Sequence, residues 1–215
     1  MIGMSRKLTP EDLQNNSSFE LLSEVSHQNL REFVVEQIKR EKYIIRFYSA
    51  YQGIMLGILI YIITRSVVFS VKGQPEKLLS IGLAMLFSFT ALIIIHELFH
   101  ALAYVLTGAR KISFGVILKK FVFYALADRQ VIAPRAFHIV ALAPFVVVKL
   151  VCLVVIFATG DIQLRYFFMT IMCLHSLFCA GDMAMLAFYN LHRGKEIYNF
   201  DNRSEGKTYF YIRKK

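Results

Sequence analysis

The sequence predicts an all-α integral membrane protein with four transmembrane helices and a short β-hairpin-like loop after the second helix. Its 215 residues are 56% hydrophobic and 19% charged, with a mean hydropathy of +0.50. Soluble domains average roughly 45–50% apolar and about 25% charged residues, so an ordinary soluble fold is disfavoured. A net charge of +10 in so apolar a chain favours basic loops lying against anionic lipid over nucleic-acid binding.

Four charge-poor runs are long enough to cross the hydrocarbon core of a bilayer as helices. They cover residues 47–64, 78–109, 136–160 and 166–192. The first has no charged residue, and the others carry only a few ionisable side chains. Together they predict a membrane domain over residues 44–192.

Lysine and arginine are distributed unevenly among the segments that connect these runs. Eighteen lie in residues 31–46 before the first run, between the second and third, and after the fourth, whereas four lie in the other two loops. Because lysine and arginine are enriched in cytoplasmic loops, we expect both termini and the middle loop to be cytoplasmic. An even number of spans agrees with this orientation.

Two shorter segments flank the membrane domain. In residues 1–43, Thr9-Pro10-Glu11 is typical of a helix start, and Ser17-Ser18-Phe19-Glu20 matches a capping box. Apolar residues then recur at helical spacing from Leu21 to Ile38. They predict an amphipathic helix that either lies on the membrane surface or prolongs the first span. Residues 193–215 are expected to form a basic cytoplasmic tail.

The loop after the second run is rich in β-branched and aromatic residues over positions 111–127. This composition, with Lys119-Lys120 as the turn, predicts a β-hairpin. A hairpin edge near an active site can hold an extended substrate by strand addition. The alternative is an amphipathic loop on the membrane surface.

The second run contains His96-Glu97-Leu98-Phe99-His100, which matches the pattern HExxH. On a helix, residues four positions apart lie on one face, so the two imidazoles can bind one zinc ion while Glu97 acts on a water molecule. A glutamate in the hydrocarbon region costs about 3 kcal/mol on insertion scales and suggests a function. The alternative is a polar cluster that joins helices.

A catalytic zinc site usually has a third protein ligand. Of the fifteen aspartates and glutamates, only Glu97 and Asp182 fall inside the apolar runs. Asp182 precedes the cytoplasmic Arg193 by eleven residues, and the histidine pair precedes Arg110 by a mean of twelve. Asp182 is therefore expected at the depth of the histidines and is the predicted third ligand.

His175 and Lys149 are possible accessory residues. His175 precedes Arg193 by eighteen residues, which places it roughly 9 Å too far outward in a straight helix. It is interpreted as a helix–helix hydrogen bonder, with a supporting role near the metal or the substrate left open.

Lys149 is expected at the depth of His96. Its ammonium can extend to an interface or pair with a carboxylate, or it can stabilise an oxyanion. The three cysteines all lie inside the apolar runs and are expected to pack as thiols, not as disulfides.

The run HELFHALAYVLTGARKISFG, with a proline in the third apolar run and an aspartate in the fourth, resembles the family of membrane proteins called putative zincin peptidases. More distantly, it is similar to the site-2-protease intramembrane metalloproteases. The resemblance implies zinc at His96, His100 and Asp182, Glu97 as the catalytic residue, and a bacterial cytoplasmic membrane. The chain departs from the site-2-protease pattern at Phe99, where glycine is common, and in having Gly181 before the aspartate and not after it.

These observations predict a zinc metalloprotease that hydrolyses a peptide bond in a membrane-embedded or membrane-adjacent substrate. Its expected partners are the membrane and a peptide or transmembrane protein, and the site is expected to open toward the cytoplasm. The alternative is a non-enzymatic metal-binding membrane protein, either a transporter or a substrate-holding pseudoprotease. The sequence leaves the substrate, the regulator and the oligomeric state open.

Overall fold

The computed structural model describes residues 8–117 and 122–214 of the chain. It is 66% helix. The helices are α1 (Pro10–Asn15), α2 (Leu30–Arg40), α3 (Tyr43–Val71), α4 (Glu76–Phe89), α5 (Ala91–Leu106), α6 (Pro134–Ala158), α7 (Ile162–Phe178) and α8 (Ala180–Leu191). The strands are β1 (Phe19–Ser26), β2 (Ile112–Ile117), β3 (Val122–Ala127), β4 (Ile197–Asn202) and β5 (Lys207–Arg213).

Within the described residues, two single helices, α3 and α6, are long and apolar enough to cross a membrane. The other two predicted spans are each broken into a bent pair of helices. Helices α4 and α5 meet at 48°, and α7 and α8 meet at 45°. The structure therefore contains two candidate spans, or up to four if each bent pair crosses as one unit.

The helices pack into a bundle in which α7 contacts α3, α4 and α6, and α5 contacts α4 and α6. Large apolar side chains remain exposed on the outer faces of α3 and α6, including Ile54, Ile60, Val154 and Phe157. An apolar exterior of this kind is what a lipid-facing helix requires. These faces agree with a membrane protein.

The predicted all-α fold class omits a β-sheet. The two terminal segments form a three-stranded antiparallel sheet in the order β1–β5–β4. The start of α1 is confirmed, with Thr9 as its N-cap in a capping box with Asp12. The helix predicted from Ser17 onward is wrong over Phe19–Ser26, which is strand β1. Pairing with β5, far along the chain, overrides the local helical pattern.

The segment expected to be a basic tail contains β4 and β5, which pair as an antiparallel hairpin. Gly206, with φ +64°, lies in the turn between them, where a left-handed backbone favours glycine. Phe210 of β5 is fully buried and belongs to a core cluster that also contains Phe188 of α8 and Phe137 of α6. The sheet and helices α6 and α8 therefore share one apolar core.

Strands β2 and β3 pair antiparallel from Ile112 opposite Ala127 to Ile117 opposite Val122. The predicted turn residues Lys119 and Lys120 lie outside the described residues. After β3, isolated bridges connect the chain to β4. These bridges place the loop between α5 and α6 against the terminal sheet.

Candidate metal centre

The candidate metal centre lies where the middle of α5 faces the start of α8. His96 and His100 occupy one face of α5 and are both buried. Helix α7 ends at Phe178 and α8 begins at Ala180, so Asp182 lies in the first turn of α8. The break at Cys179 therefore brings a helix start, and with it a carboxylate, opposite the histidine pair.

Three side-chain atoms converge at this point. The Nε2 atoms of His96 and His100 are 3.1 Å apart, and the Asp182 carboxylate oxygens lie 3.3 Å from His96 Nε2 and 3.2 Å from His100 Nε2. Zinc bonds of about 2.0–2.1 Å to nitrogen and oxygen imply ligand atoms roughly 3.3–3.4 Å apart in a tetrahedral site. The triangle has the size of one face of such a site.

The donor atoms are also oriented for a cation. His100 Nδ1 lies 2.9 Å from the carbonyl oxygen of Val140, so Nδ1 carries the proton and Nε2 directs a lone pair at the site. Asp182 Oδ2 is buried without a hydrogen-bond partner among the described residues. A divalent cation satisfies both groups, so the residues fit zinc.

Glu97 lies beside the triangle and faces the β2–β3 pair. The backbone N–H of Ala125 in β3 is directed at its carboxylate. Its Oε2 atom is buried and has no hydrogen-bond partner in the described part of the chain. One carboxylate oxygen is thus free to exchange a proton.

A cavity of about 410 Å³ opens beside Glu97, His100 and Asp182. Its size falls within the roughly 300–1,000 Å³ that is common for ligand sites. The walls come from α2, α5, α6 and α8, from β3 and from the terminal sheet, and they are largely apolar. They include Tyr104, Phe137, Val140 and Met185.

The terminal sheet contributes polar groups to this cavity that sequence reasoning missed. Thr208 Oγ1 donates to Asp201 Oδ1 at 2.5 Å, and His27 Nε2 lies 3.2 Å from Thr208 Oγ1. All three residues are buried. They were missed because the terminal segments were expected to be a helix and a tail. The enrichment of aromatic and β-branched residues in β4 and β5, on either side of Gly206, is the signal that could have identified the strands.

Tyr124 of β3 also lines the cavity, and its ring packs across Gly115 on β2. A Cβ atom at Gly115 would clash with the ring, so the close approach requires glycine. The ring centroid lies 5.2 Å from that of His27. Burial raises the pKa of the Tyr124 hydroxyl above its ordinary value, so this group is a hydrogen-bond donor in the cavity wall at neutral pH.

His175 lies closer to the site than expected. Its Nε2 atom is 3.1 Å from His96 Nδ1, so the predicted displacement of about 9 Å is wrong. That prediction assumed a straight helix, whereas the chain bends by 45° between α7 and α8. His175 therefore touches His96 on the ring edge away from Asp182.

Lys149 is buried on α6 and is engaged elsewhere. Its ammonium donates to the backbone carbonyl of Met172 on α7 and lies 5.6 Å from the ring centroids of Tyr51 and Phe145. These contacts make Lys149 a partner of the α7 backbone.

A polar network on α3 stabilises the break between α7 and α8, and sequence reasoning missed it. Tyr48 and Gln52 both donate to the carbonyl of Ser176, and the hydroxyl of Ser176 lies 2.6 Å from Gln52 Oε1. The last carbonyls of a helix have no partner within it, and Ser176 is fully buried, so its carbonyl needs a side-chain donor. Gln52 inside the first apolar run is the sequence signal that could have indicated such a role.

Two histidines and an aspartate match the donor set of a catalytic zinc site, and the adjacent glutamate has the position of a general base. Comparison with protein families identifies the family. Residues 89–196, half of the chain, match the family described as putative zincin peptidase, and the chain belongs to it. The match covers α5, both strands of the β2–β3 pair, and α8. Neither the curated proteins nor the solved structures contain a match.

Proposed function

We propose that this protein is a zinc metalloprotease of the HExxH type that hydrolyses a peptide bond in a membrane-embedded or membrane-adjacent substrate. The observation that carries the proposal is the convergence of His96, His100 and Asp182, whose ligand atoms lie 3.1–3.3 Å apart, beside Glu97 and an open cavity. Membership in a zincin family supports the zinc and the peptidase chemistry.

In this proposal His96, His100 and Asp182 hold the zinc ion. Zinc, when bound, supplies a Lewis acid that polarises the scissile carbonyl and acidifies a water molecule. Glu97 takes a proton from that water and delivers it to the leaving amine, as a general base and then a general acid. The backbone N–H of Ala125 faces the Glu97 carboxylate, and its Oε2, which has no hydrogen-bond partner among the described residues, is the atom proposed for the proton transfer.

The β2–β3 pair supports an extended peptide as substrate. In an antiparallel pair, backbone groups point alternately toward the partner strand and away from it. The N–H of Ala125 points to Glu97, so this edge of β3 faces the catalytic residue and not β2. A substrate that adds as a strand along this edge presents its peptide bonds to Glu97.

We further propose that the protein acts within the bacterial cytoplasmic membrane, in the manner of site-2 proteases, with four spans and both termini in the cytoplasm. The pairing of β1 with β5 supports an even number of spans, because it requires both terminal segments to lie on one side. The loop after β3 bridges to the same sheet. These three segments carry most of the lysines and arginines, which favours the cytoplasm.

Replacement of Glu97 by Gln separates the protease from a metal transporter or a pseudoprotease. The proposal predicts that the variant retains about one zinc per chain and loses hydrolysis by about 10²–10⁴-fold, because the general base is gone. The assay measures zinc by mass spectrometry, and cleavage of labelled casein and of a labelled single-span peptide in liposomes. The exposed Glu76, replaced by Gln, is the matched control.

Unchanged cleavage by the Glu97 variant would refute the proposed mechanism. Wild-type protein that binds zinc and transports it across the liposome membrane, with no cleavage of either probe, would favour the non-enzymatic alternative.

A further inference from the structure

His175 is a fully buried histidine next to the proposed zinc site, and the proposed mechanism does not use it. It lies in the last turn of α7 and has no exposed surface. Its Nε2 atom is 3.1 Å from His96 Nδ1. This contact is on the side of the His96 ring opposite the atom that faces Asp182.

The proton on His96 has one consistent position. Because His96 Nε2 faces His100 and Asp182 as a ligand atom, its proton must be on Nδ1 in the neutral ring. His96 Nδ1–H then donates to His175 Nε2. This assignment parallels His100, whose Nδ1–H donates to the Val140 carbonyl.

The same reasoning extends to Cys179. If His175 Nε2 accepts, its own proton is on Nδ1, which lies 3.7 Å from Cys179 Sγ. The Cys179 thiol in turn donates to the His175 carbonyl at 3.3 Å. Each donor in this chain from His96 to the α7 backbone has an acceptor.

We propose that His175 is a positioning residue that fixes the tautomer and the ring orientation of His96, with Cys179 fixing His175 in turn. The inference rests on the proposed function, since it requires zinc at His96. Partners that orient a ligating histidine contribute about 10–100-fold to metal affinity. Sequence position alone does not reveal this role, because the break at Cys179 is what brings His175 to His96.

A second metal site is the competing explanation, because ligand atoms of His96, His175 and Cys179 lie within 4.8 Å of one another. To bind cations at both ring nitrogens, His96 would have to lose both ring protons. Cys179 would have to be a thiolate, although its sulfur is placed to donate to a carbonyl. The hydrogen-bonded arrangement requires neither change and is the one that the contacts favour.

The test compares His175→Leu, which removes the acceptor, with His175→Gln, whose amide oxygen reaches about as far as Nε2. Zinc affinity is measured in detergent by competition with a chromophoric chelator, and the coordination geometry by the visible spectrum of the cobalt-substituted protein. Cys173→Ala, a buried change on the same helix outside the hydrogen-bond chain, is the control. His175→Asn, which is too short to reach His96, replaces the leucine variant if that variant does not fold.

We expect His175→Leu to bind zinc 10–100-fold more weakly than wild type and to change the spectrum of the cobalt-substituted protein. The zinc affinity of His175→Gln should stay within about threefold of wild type, and that of Cys173→Ala should be unchanged. A His175→Leu variant with the zinc affinity and cobalt spectrum of wild type would overturn the positioning role and leave the protease proposal intact. A fall from two metal ions to one would overturn it in favour of a second site. Wild-type protein without zinc would overturn both proposals.

Discussion

Gln52 provides the most informative test of how the broken helix positions Asp182. Its amide donates to the Ser176 carbonyl and accepts from the Ser176 hydroxyl, both at 2.6 Å. Replacement by leucine keeps the volume and removes both hydrogen bonds. The carbonyl retains Tyr48 as a donor and the hydroxyl retains the Cys173 carbonyl, so neither group is left without a partner.

The expected cost follows from these contacts. Two hydrogen bonds at about 0.5–1.5 kcal/mol each give a loss of about 1–3 kcal/mol in the free energy of unfolding. A loss of about 2 kcal/mol corresponds to about 4–8 °C in melting temperature for a chain of this length. Because Asp182 lies just past the break that Gln52 stabilises, zinc affinity should fall as well.

The assay is thermal unfolding of the detergent-solubilised protein, combined with chelator competition for zinc. Gln163→Leu, an exposed glutamine in the first turn of α7, is the matched control and should change neither quantity. A Gln52→Leu variant with unchanged melting temperature and unchanged zinc affinity would refute the claim that this network positions Asp182.

Three further predictions concern other parts of the molecule. Burial raises the pKa of Glu41, but hydrogen bonds from Asn190 and from backbone N–H groups at the start of α3 outweigh burial and lower it. Glu41 therefore stabilises the fold above its unfolded pKa of about 4.3, and this stability is lost as pH falls through the lower folded value. In a Glu41→Gln variant, the melting temperature should depend less on pH across that acidic range than in wild type. The same pH dependence in both proteins would contradict the stabilising role of the Glu41 carboxylate. Gly115→Ala should displace the Tyr124 ring and destabilise the β2–β3 pair by about 1–3 kcal/mol, as measured by melting, and Tyr124→Ala in the same chain should recover most of the loss. Removal of zinc with a chelator should lower the melting temperature of wild type, since a ligand at a hundred times its Kd stabilises by about 2.7 kcal/mol, and no shift would argue against a bound metal.

The apolar runs and the HExxH pattern could be identified from sequence because they are local. A helix displays residues four positions apart on one face whatever surrounds it, so the pairing of His96 with His100 required no tertiary information. The depth of Asp182 was estimated from the number of residues that separate it from Arg193, compared with the number that separate the histidine pair from Arg110. In the structure its carboxylate lies beside both imidazoles.

The remaining features depend on contacts between distant parts of the chain. The depth of His175 was estimated from the number of residues between it and Arg193. That estimate failed because the chain bends at Cys179 between them, and the composition of the run does not reveal the bend. Strand β1 was predicted to be helical because the strand that stabilises it, β5, is encoded almost two hundred residues later. Gln52 was missed because it contacts the Ser176 carbonyl in the last turn of α7, and that carbonyl needs a side-chain partner only because the helix stops there. Lys149 donates to the Met172 carbonyl of another helix, a contact that the composition of the apolar runs does not reveal.

The central claim is that one zinc ion is bound by His96, His100 and Asp182. Metal analysis and X-ray absorption of the purified protein test it most directly. The account predicts about one zinc per chain, a first coordination shell of nitrogen and oxygen only, and loss of the metal in a His96→Ala variant. Absence of zinc, or a sulfur neighbour that disappears in Cys179→Ala, would contradict it.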